Sequence, residues 1–180
     1  MIIRIFNNKN KILKYHLGWT SDFVKNNIYN IEKNYSLYPF RNKWNCNVHS
    51  IHDYERDVHP IDYNFLRKEY EKLVGKVTKK FGIKKYFISD IWYNYYKKGQ
   101  YQESHIHEGD GGITVVHYLI FDPDYHTPTV FSDPKIKCPR VKSGDIIFFS
   151  NSLYHHVPRN ETDKPRLTIA FTITDLNKVN

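Results

Sequence analysis

The chain has 180 residues, 40% hydrophobic and 16% aromatic, with 15 Tyr and 11 Phe, a composition that excludes disorder and supplies the core of one domain spanning residues 1–180. No apolar run approaches the roughly 18–20 residues that span a bilayer, and the opening MIIRIFNN is too short and unflanked for a secretory signal, so a soluble cytoplasmic protein with no membrane partner is expected. The net charge of +8, from 27 Lys and Arg against 19 Asp and Glu, suits an anionic partner but does not select one. Its lysines accompany many Asn, Ile and Tyr, a bias that an AT-rich genome produces without selection for a ligand, and no nucleic-acid-binding signature accompanies them.

The first 85 residues read as a helical support region. Thr20, Ser21 or Asp22 is placed to cap a helix through FVKNNIYNIEKN, with Phe23, Asn27 or Ile28, and Ile31 as its apolar stripe. The segment KWNCNVHSIHDY alternates enough to predict a strand. From about Asp62 to Phe81, Phe65, Leu66, Tyr70, Leu73, Val77 and Phe81 recur at helical spacing while Arg67, Lys68, Glu71, Lys72 and Lys76 fill the other face, and Gly82 is placed to end the helix. Cys46 and Cys138 lie far apart and match neither a disulfide framework nor a paired zinc site, which fits a reducing compartment.

Residues 86–180 carry strand after strand: YFISDIWYNYY, GITVVHYLIF, a short TVFSDP, DIIFFS and RLTIAFTI, punctuated by KKGQ, FDPDYHTP, KSGD and VPRNETDKP. No helices alternate with them, so a doubly wound α/β sheet is disfavoured. A mainly β fold is expected, a sandwich or jelly roll with the helices packed on one outer face.

Chemistry concentrates in this half. In His105-Ile-His107 an extended backbone would put both imidazoles on one face, about 6.5–7 Å apart along the strand, within reach of one metal. Imidazole suits zinc, iron, copper and nickel alike, so the pair names no ion. After DIIFFS, the run NSLYHHVPRN offers His155 and His156 as a third ligand. Eleven residues beyond His155, Arg166 opens a strand in which Arg166, Thr168 and Ala170 share one face. A guanidinium and a hydroxyl beside a metal form a carboxylate clamp, able to hold one end of a dicarboxylate whose other end chelates the ion.

In order and spacing, IWYNYYKKGQYQESHIH, FFSNSLYHHVPRN and PRLTIAF resemble the Fe(II)- and 2-oxoglutarate-dependent oxygenases of the double-stranded β-helix (jelly-roll, cupin-like) fold, in particular a group of oxygenases common in phages and marine bacteria. The resemblance covers roughly residues 90–175, and KWNCNVHS is similar to the aromatic-rich lead strand of that group. It implies Fe(II) held by His105 and His155, with His156 pointing elsewhere, and 2-oxoglutarate held by Arg166 with Thr168. Tyr118, Tyr96 and Asn94 are candidates to line the cosubstrate pocket from strand placement.

The middle ligand departs from the pattern. Most of the superfamily has His-x-Asp or His-x-Glu, where this chain has His107. Three ligand sets stay open: three histidines, His105, His107 and His155; a carboxylate from Glu108 or Asp110 in the turn EGDGG; or a site altered in metal or activity, or one in which two histidines suffice, as in related halogenases. Neutral imidazole in place of a carboxylate leaves the site one unit more positive, which favours a dianionic cosubstrate. Gly109, Gly111 and Gly112 would let the turn move or approach a ligand closely, or simply adopt positive φ.

The resemblance implies a dioxygenase that decarboxylates 2-oxoglutarate to succinate, consumes O2 and hydroxylates an unactivated C–H bond of an unidentified substrate. One rival is a three-histidine, cupin-like metalloenzyme without 2-oxoglutarate, distinguished by whether Arg166 faces the metal site or solvent. Another is a non-enzymatic protein of the same fold that binds nucleic acid or another anion through Lys76, Lys79, Lys80, Lys84 and Lys85. Trp44, Trp92, Tyr93, Tyr95, Tyr96 and Tyr101 are available as an aromatic wall for substrate, though aromatics in a sandwich are more often core.

Overall fold

The computed structural model describes residues 4–5, 11–37, 46–52, 61–107 and 111–178. In chain order the elements are β1 (Arg4–Ile5), β2 (Ile12–His16), α1 (Thr20–Leu37), β3 (His49–His52), α2 (Tyr63–Phe81), β4 (Tyr86–Tyr96), β5 (Gln102–His105), β6 (Ile113–Ile120), β7 (Val130–Phe131), β8 (Asp145–Ser150), β9 (His155–Val157) and β10 (Arg166–Asp175). Seven strands form one sheet in the order β1-β2-β8-β6-β10-β4-β3, and β5-β9-β7 form a second. Every pairing is antiparallel. This is the expected mainly β, double-stranded β-helix architecture with flanking helices.

Period-2 alternation decides what each face of the large sheet carries. Ile91, Tyr93 and Tyr95 of β4, Ile113, Val115 and Leu119 of β6, Ile146 and Phe148 of β8, and Leu167, Ile169, Phe171 and Ile173 of β10 join Leu66, Tyr70, Val74 and Val77 of α2 in one buried cluster. The residues between them face the small sheet. Both faces of the central strands are thus buried, which is why the sequence shows near-continuous apolar runs there.

The second helix follows its sequence signals closely. The Asp62 carboxylate accepts the Phe65 N–H at 2.9 Å, and Gly82, at φ +80, donates its N–H to the Lys79 carbonyl. The first helix is longer than FVKNNIYNIEKN, and Thr20 turns its hydroxyl back to donate to the Leu17 carbonyl at 2.8 Å. The segment KWNCNVHSIHDY yields only the four residues of β3 among those described, its ends lying outside them.

The first 85 residues also supply strands, which sequence reading assigned mainly to helices. Strand β2 is five residues long and reads ILKYH, two apolar residues side by side and then three with polar ends, so it shows no alternation. Tertiary partners hold it: the buried Asp145 carboxylate meets Lys14 Nζ at 3.2 Å and His16 Nδ1 at 2.9 Å. The turn before Asp145 requires glycine, because Gly144 has φ +88 and a Cβ there would lie 2.6 Å from the His16 ring. None of the described helices is long and apolar enough to cross a membrane.

One buried polar bridge ties helices to sheet. His117 on β6, 0% exposed, has Nε2 2.9 Å from Thr20 Oγ1 and Nδ1 2.9 Å from Tyr70 Oη. Because the Thr20 hydroxyl donates to Leu17, it accepts from His117 Nε2–H, leaving Nδ1 to accept from Tyr70. Burial, with a smaller contribution from His16, pushes the His117 pKa down to about 3. An unfolded histidine titrates near 6.5, so below that pH the unfolded chain takes up a proton that the folded chain refuses. The stability contribution is full above about pH 6.5 and falls by up to roughly 1.4 kcal/mol per pH unit below it. The advantage of the wild type over His117→Leu, read from urea midpoints, is therefore expected to shrink by about 2 kcal/mol between pH 7.5 and pH 5.0; equal pH slopes in the two proteins would contradict this bridge.

Candidate active site

Between the two sheets lies a cavity lined from β4 by Trp92, Asn94 and Tyr96, from β10 by Arg166, Thr168 and Ala170, and from β5 and β9 by Gln102, His105, His155 and Val157. The wall is set by register. Thr168 pairs with Asn94 on one side and Tyr118 on the other, and Arg166 pairs with Tyr96. His107, Thr114, Val116 and Thr129 complete the lining, which contains no carboxylate among the described residues.

The structure brings His105, His107 and His155 together, with candidate ligand nitrogens all within 4.8 Å of one another. Their ring centroids lie 4.4 Å (His105–His155), 5.1 Å (His105–His107) and 5.4 Å (His107–His155) apart. His105 and His155 face each other across the β5–β9 pairing. His105 ends its strand, so His107 is not its strand-mate but stands just beyond, with its N–H donated to the Asn151 carbonyl at 3.3 Å. A register shift between Gln102 and His105 turns both into the cavity despite their odd spacing.

Two of the rings are oriented by carbonyls. His105 Nδ1 lies 2.8 Å from the Glu103 carbonyl, and His155 Nδ1 lies 2.8 Å from the Leu153 carbonyl. A carbonyl only accepts, so Nδ1 carries the proton in both and Nε2 keeps its lone pair for a ligand bond. Burial first, then the neighbouring histidines, pushes His155 to about 3 and His107 to about 4; burial lowers His105 as well. All three imidazoles are therefore neutral at pH 7, the form that ligates metal. Their chemistry suits iron.

Arg166 is 2% exposed. Its Nη1 donates to the Thr127 carbonyl at 2.7 Å, while Nε and Nη2 are buried without a partner among the described residues. The rings of Tyr96, Tyr118 and Phe121 surround the guanidinium at 5.3–5.6 Å. A buried, unneutralised cation with two idle donors is costly unless an anion completes it. The donor set thus fits both a metal and a carboxylate-bearing ligand.

Asn94 lines the cavity, its Oδ1 without a partner among the described residues. Tyr118 sits one layer behind, donating its hydroxyl to Thr129 Oγ1 at 2.9 Å and accepting the Thr129 N–H at 3.3 Å. His156 alternates away from His155 and pairs with Val130. Glu108, Gly109, Asp110 and Trp44 lie outside the described residues. Of the remaining aromatic-wall candidates only Trp92 and Tyr96 reach the cavity. Tyr93 and Tyr95 face the helices, where their hydroxyls donate to Asn34 and Glu32, and Tyr101 lies under Arg159. Lys76, Lys79 and Lys84 line a separate groove beside Gly82. Sequence reading missed Gln102 and Thr129: the bulge hides the first, and a loop with no period hides the second.

Residues 117–172 match the family described as "Putative 2OG-Fe(II) oxygenase". That stretch holds His155 and Arg166, whereas His105 and His107 precede it. No curated protein matches the chain. Among solved structures, the viral collagen prolyl hydroxylase of Paramecium Bursaria Chlorella virus-1 in its 2OG complex is similar at TM-score 0.61 and 20% identity, over 90% of this chain and 94% of that one. HygX of Streptomyces hygroscopicus, with nickel and 2-oxoglutarate bound, aligns at TM-score 0.63 and 14% identity, over 94% and 84%. EctD of S. alaskensis with bound Fe aligns at TM-score 0.68 and 12% identity, over 94% and 74%. At these identities the neighbours speak for the fold.

The position of the Tyr118 hydroxyl has a measurable consequence. Tyr118→Phe removes a buried hydrogen bond and is expected to lower stability to urea by about 0.5–1.5 kcal/mol while leaving metal affinity at the wild-type value; a changed metal affinity would mean that the hydroxyl reaches the site. The family match falls on the strands that carry His155 and Arg166, and the fold is that of solved 2-oxoglutarate-dependent oxygenases.

Proposed function

We propose that His105, His107 and His155 hold the Fe(II) of this oxygenase, that Arg166 and Thr168 hold the far carboxylate of 2-oxoglutarate, and that the enzyme hydroxylates a C–H bond of its prime substrate. The observation that carries the reading is Arg166: a buried guanidinium that, among the described residues, has two unpaired N–H-bearing nitrogens and no carboxylate in its cavity shares that cavity with three neutral imidazoles. The three-histidine metalloenzyme without 2-oxoglutarate leaves this cation unexplained, since it requires no anion there.

Iron, 2-oxoglutarate and O2 together supply the oxidation of an unreactive C–H bond. The chain's own residues bind and orient. The Glu103 and Leu153 carbonyls fix the tautomers of His105 and His155, so metal binding at pH 7 does not compete with a proton. Arg166 meets one carboxylate through charge-assisted hydrogen bonds in a site whose aromatic walls exclude water and raise their strength. Thr168, one pleat further along β10, supports it with a hydroxyl. Asn94 suits an anion by turning its amide nitrogen inward, because its oxygen has no partner as it stands. The bound metal and dianion of HygX support the same arrangement by likeness of fold.

The test is an anaerobic titration of metal-free protein with Fe(II) and then 2-oxoglutarate, followed by visible absorption. A charge-transfer band of the chelated keto acid is expected in the wild type and is expected to vanish in His155→Ala. In Arg166→Gln the 2-oxoglutarate concentration for half-saturation is expected to rise at least about 30-fold, as for loss of one partner of a buried charge pair. Tight iron binding with no band would overturn the assignment and favour the three-histidine metalloenzyme that does not use 2-oxoglutarate.

A further inference from the structure

We infer that Asn151 is the positioning residue for His107, holding in place the one member of the histidine cluster that no carbonyl orients among the described residues. The inference rests on the three-histidine reading.

The asymmetry within the cluster motivates it. His105 and His155 each have Nδ1 tied to the carbonyl two residues earlier. Among the described residues the His107 ring has no hydrogen bond; its neighbours are Trp92, at 5.6 Å between centroids, and the other two histidines. It stands beyond the end of β5, so no strand ladder fixes its backbone either. What holds that backbone is the Asn151 carbonyl, which accepts the His107 N–H.

Asn151 is itself pinned from three directions. It is 3% exposed and follows directly on β8. Its N–H donates to the Gly112 carbonyl at 3.1 Å. Its Oδ1 accepts from Thr114 Oγ1 at 2.8 Å, a buried bond to a residue that lines the cavity. Gly112 makes the approach possible, because a Cβ there would stand 2.3 Å from Asn151 Nδ2 and 2.9 Å from the Ile173 carbonyl. The glycine is thus a close-contact position, whereas its neighbour Gly111, at φ +76, is the one that needs left-handed backbone. The side chain of Asn151 locks the β8 exit to the start of β6, and its carbonyl transmits that position to His107. A ligand set within a few tenths of an ångström depends on such support.

The experiment uses Co(II) alone as the probe, with affinity and visible d–d absorption as readouts, on wild type, Asn151→Ala, His107→Ala and the double variant. Asn151→Ala is expected to weaken Co(II) binding about 10-fold or more and to change the absorption envelope. In the His107→Ala background the same substitution is expected to have no further effect, as two changes acting through one ligand do not add. Independent, multiplying effects would overturn the inference by showing that Asn151 acts elsewhere, and wild-type affinity and spectrum in Asn151→Ala would overturn it directly. If His107→Ala alone leaves both readouts unchanged, the three-histidine reading fails and takes this role with it. Should Asn151→Ala fail to fold, Thr114→Val, which removes the donor to Oδ1, enters the same cycle with the same expected outcomes.

Discussion

Strand β10 is hydrogen-bonded along both edges, to β4 and β6, and both of its faces are buried. The rest of the molecule depends on this double burial. Leu167, Ile169, Phe171 and Ile173 seal the sheet against the helices. The intervening Arg166 and Thr168 are thereby committed to the space between the sheets, since a strand cannot turn one residue without turning all. Water is scarce there, and an arginine in that position needs an anion. The strand thus sets one cation on its inner face, opposite an apolar outer face.

The same low-dielectric setting explains the histidines. Burial disfavours charge on the three imidazoles, and their nitrogens, within 4.8 Å of one another, would repel as cations, so all three rest neutral. With no carboxylate among the described lining residues, the permanent charge of the cavity is the guanidinium alone. A divalent metal and a dianion brought in together add no net charge, while the dianion neutralises the arginine locally. A divalent metal alone would add to the charge of the guanidinium, and a dianion beside it would offset both.

Support around the cavity is uneven. His105 and His155 lie opposite each other on paired strands with carbonyls behind their rings. His107 lies off the end of a strand and is joined to the fold through Asn151, which Gly112 and Thr114 hold in turn. His107, the position at which the sequence departs from the His-x-Asp or His-x-Glu pattern, therefore falls where the backbone around the cavity is least regular.

The sequence by itself determined the strong elements and the order of the chemical groups. Helix α2 between Asp62 and Gly82, and strands β4 and β8, were legible because capping residues and two-sided apolar runs are local properties. The sharing of one face by Arg166, Thr168 and Ala170 was legible for the same reason: alternation needs only the backbone. Strand β2 was not, because its burial comes from Asp145 and β8, more than a hundred residues away. The bulge that admits Gln102, the loop that delivers Thr129, the side of the sheet that takes Tyr93 and Tyr95, and the contact between Gly112 and Asn151 were likewise decided only in three dimensions. Each depends on which distant segment packs against which face. Local sequence fixes periodicity and capping, but the choice of partner is a property of the assembled sheets.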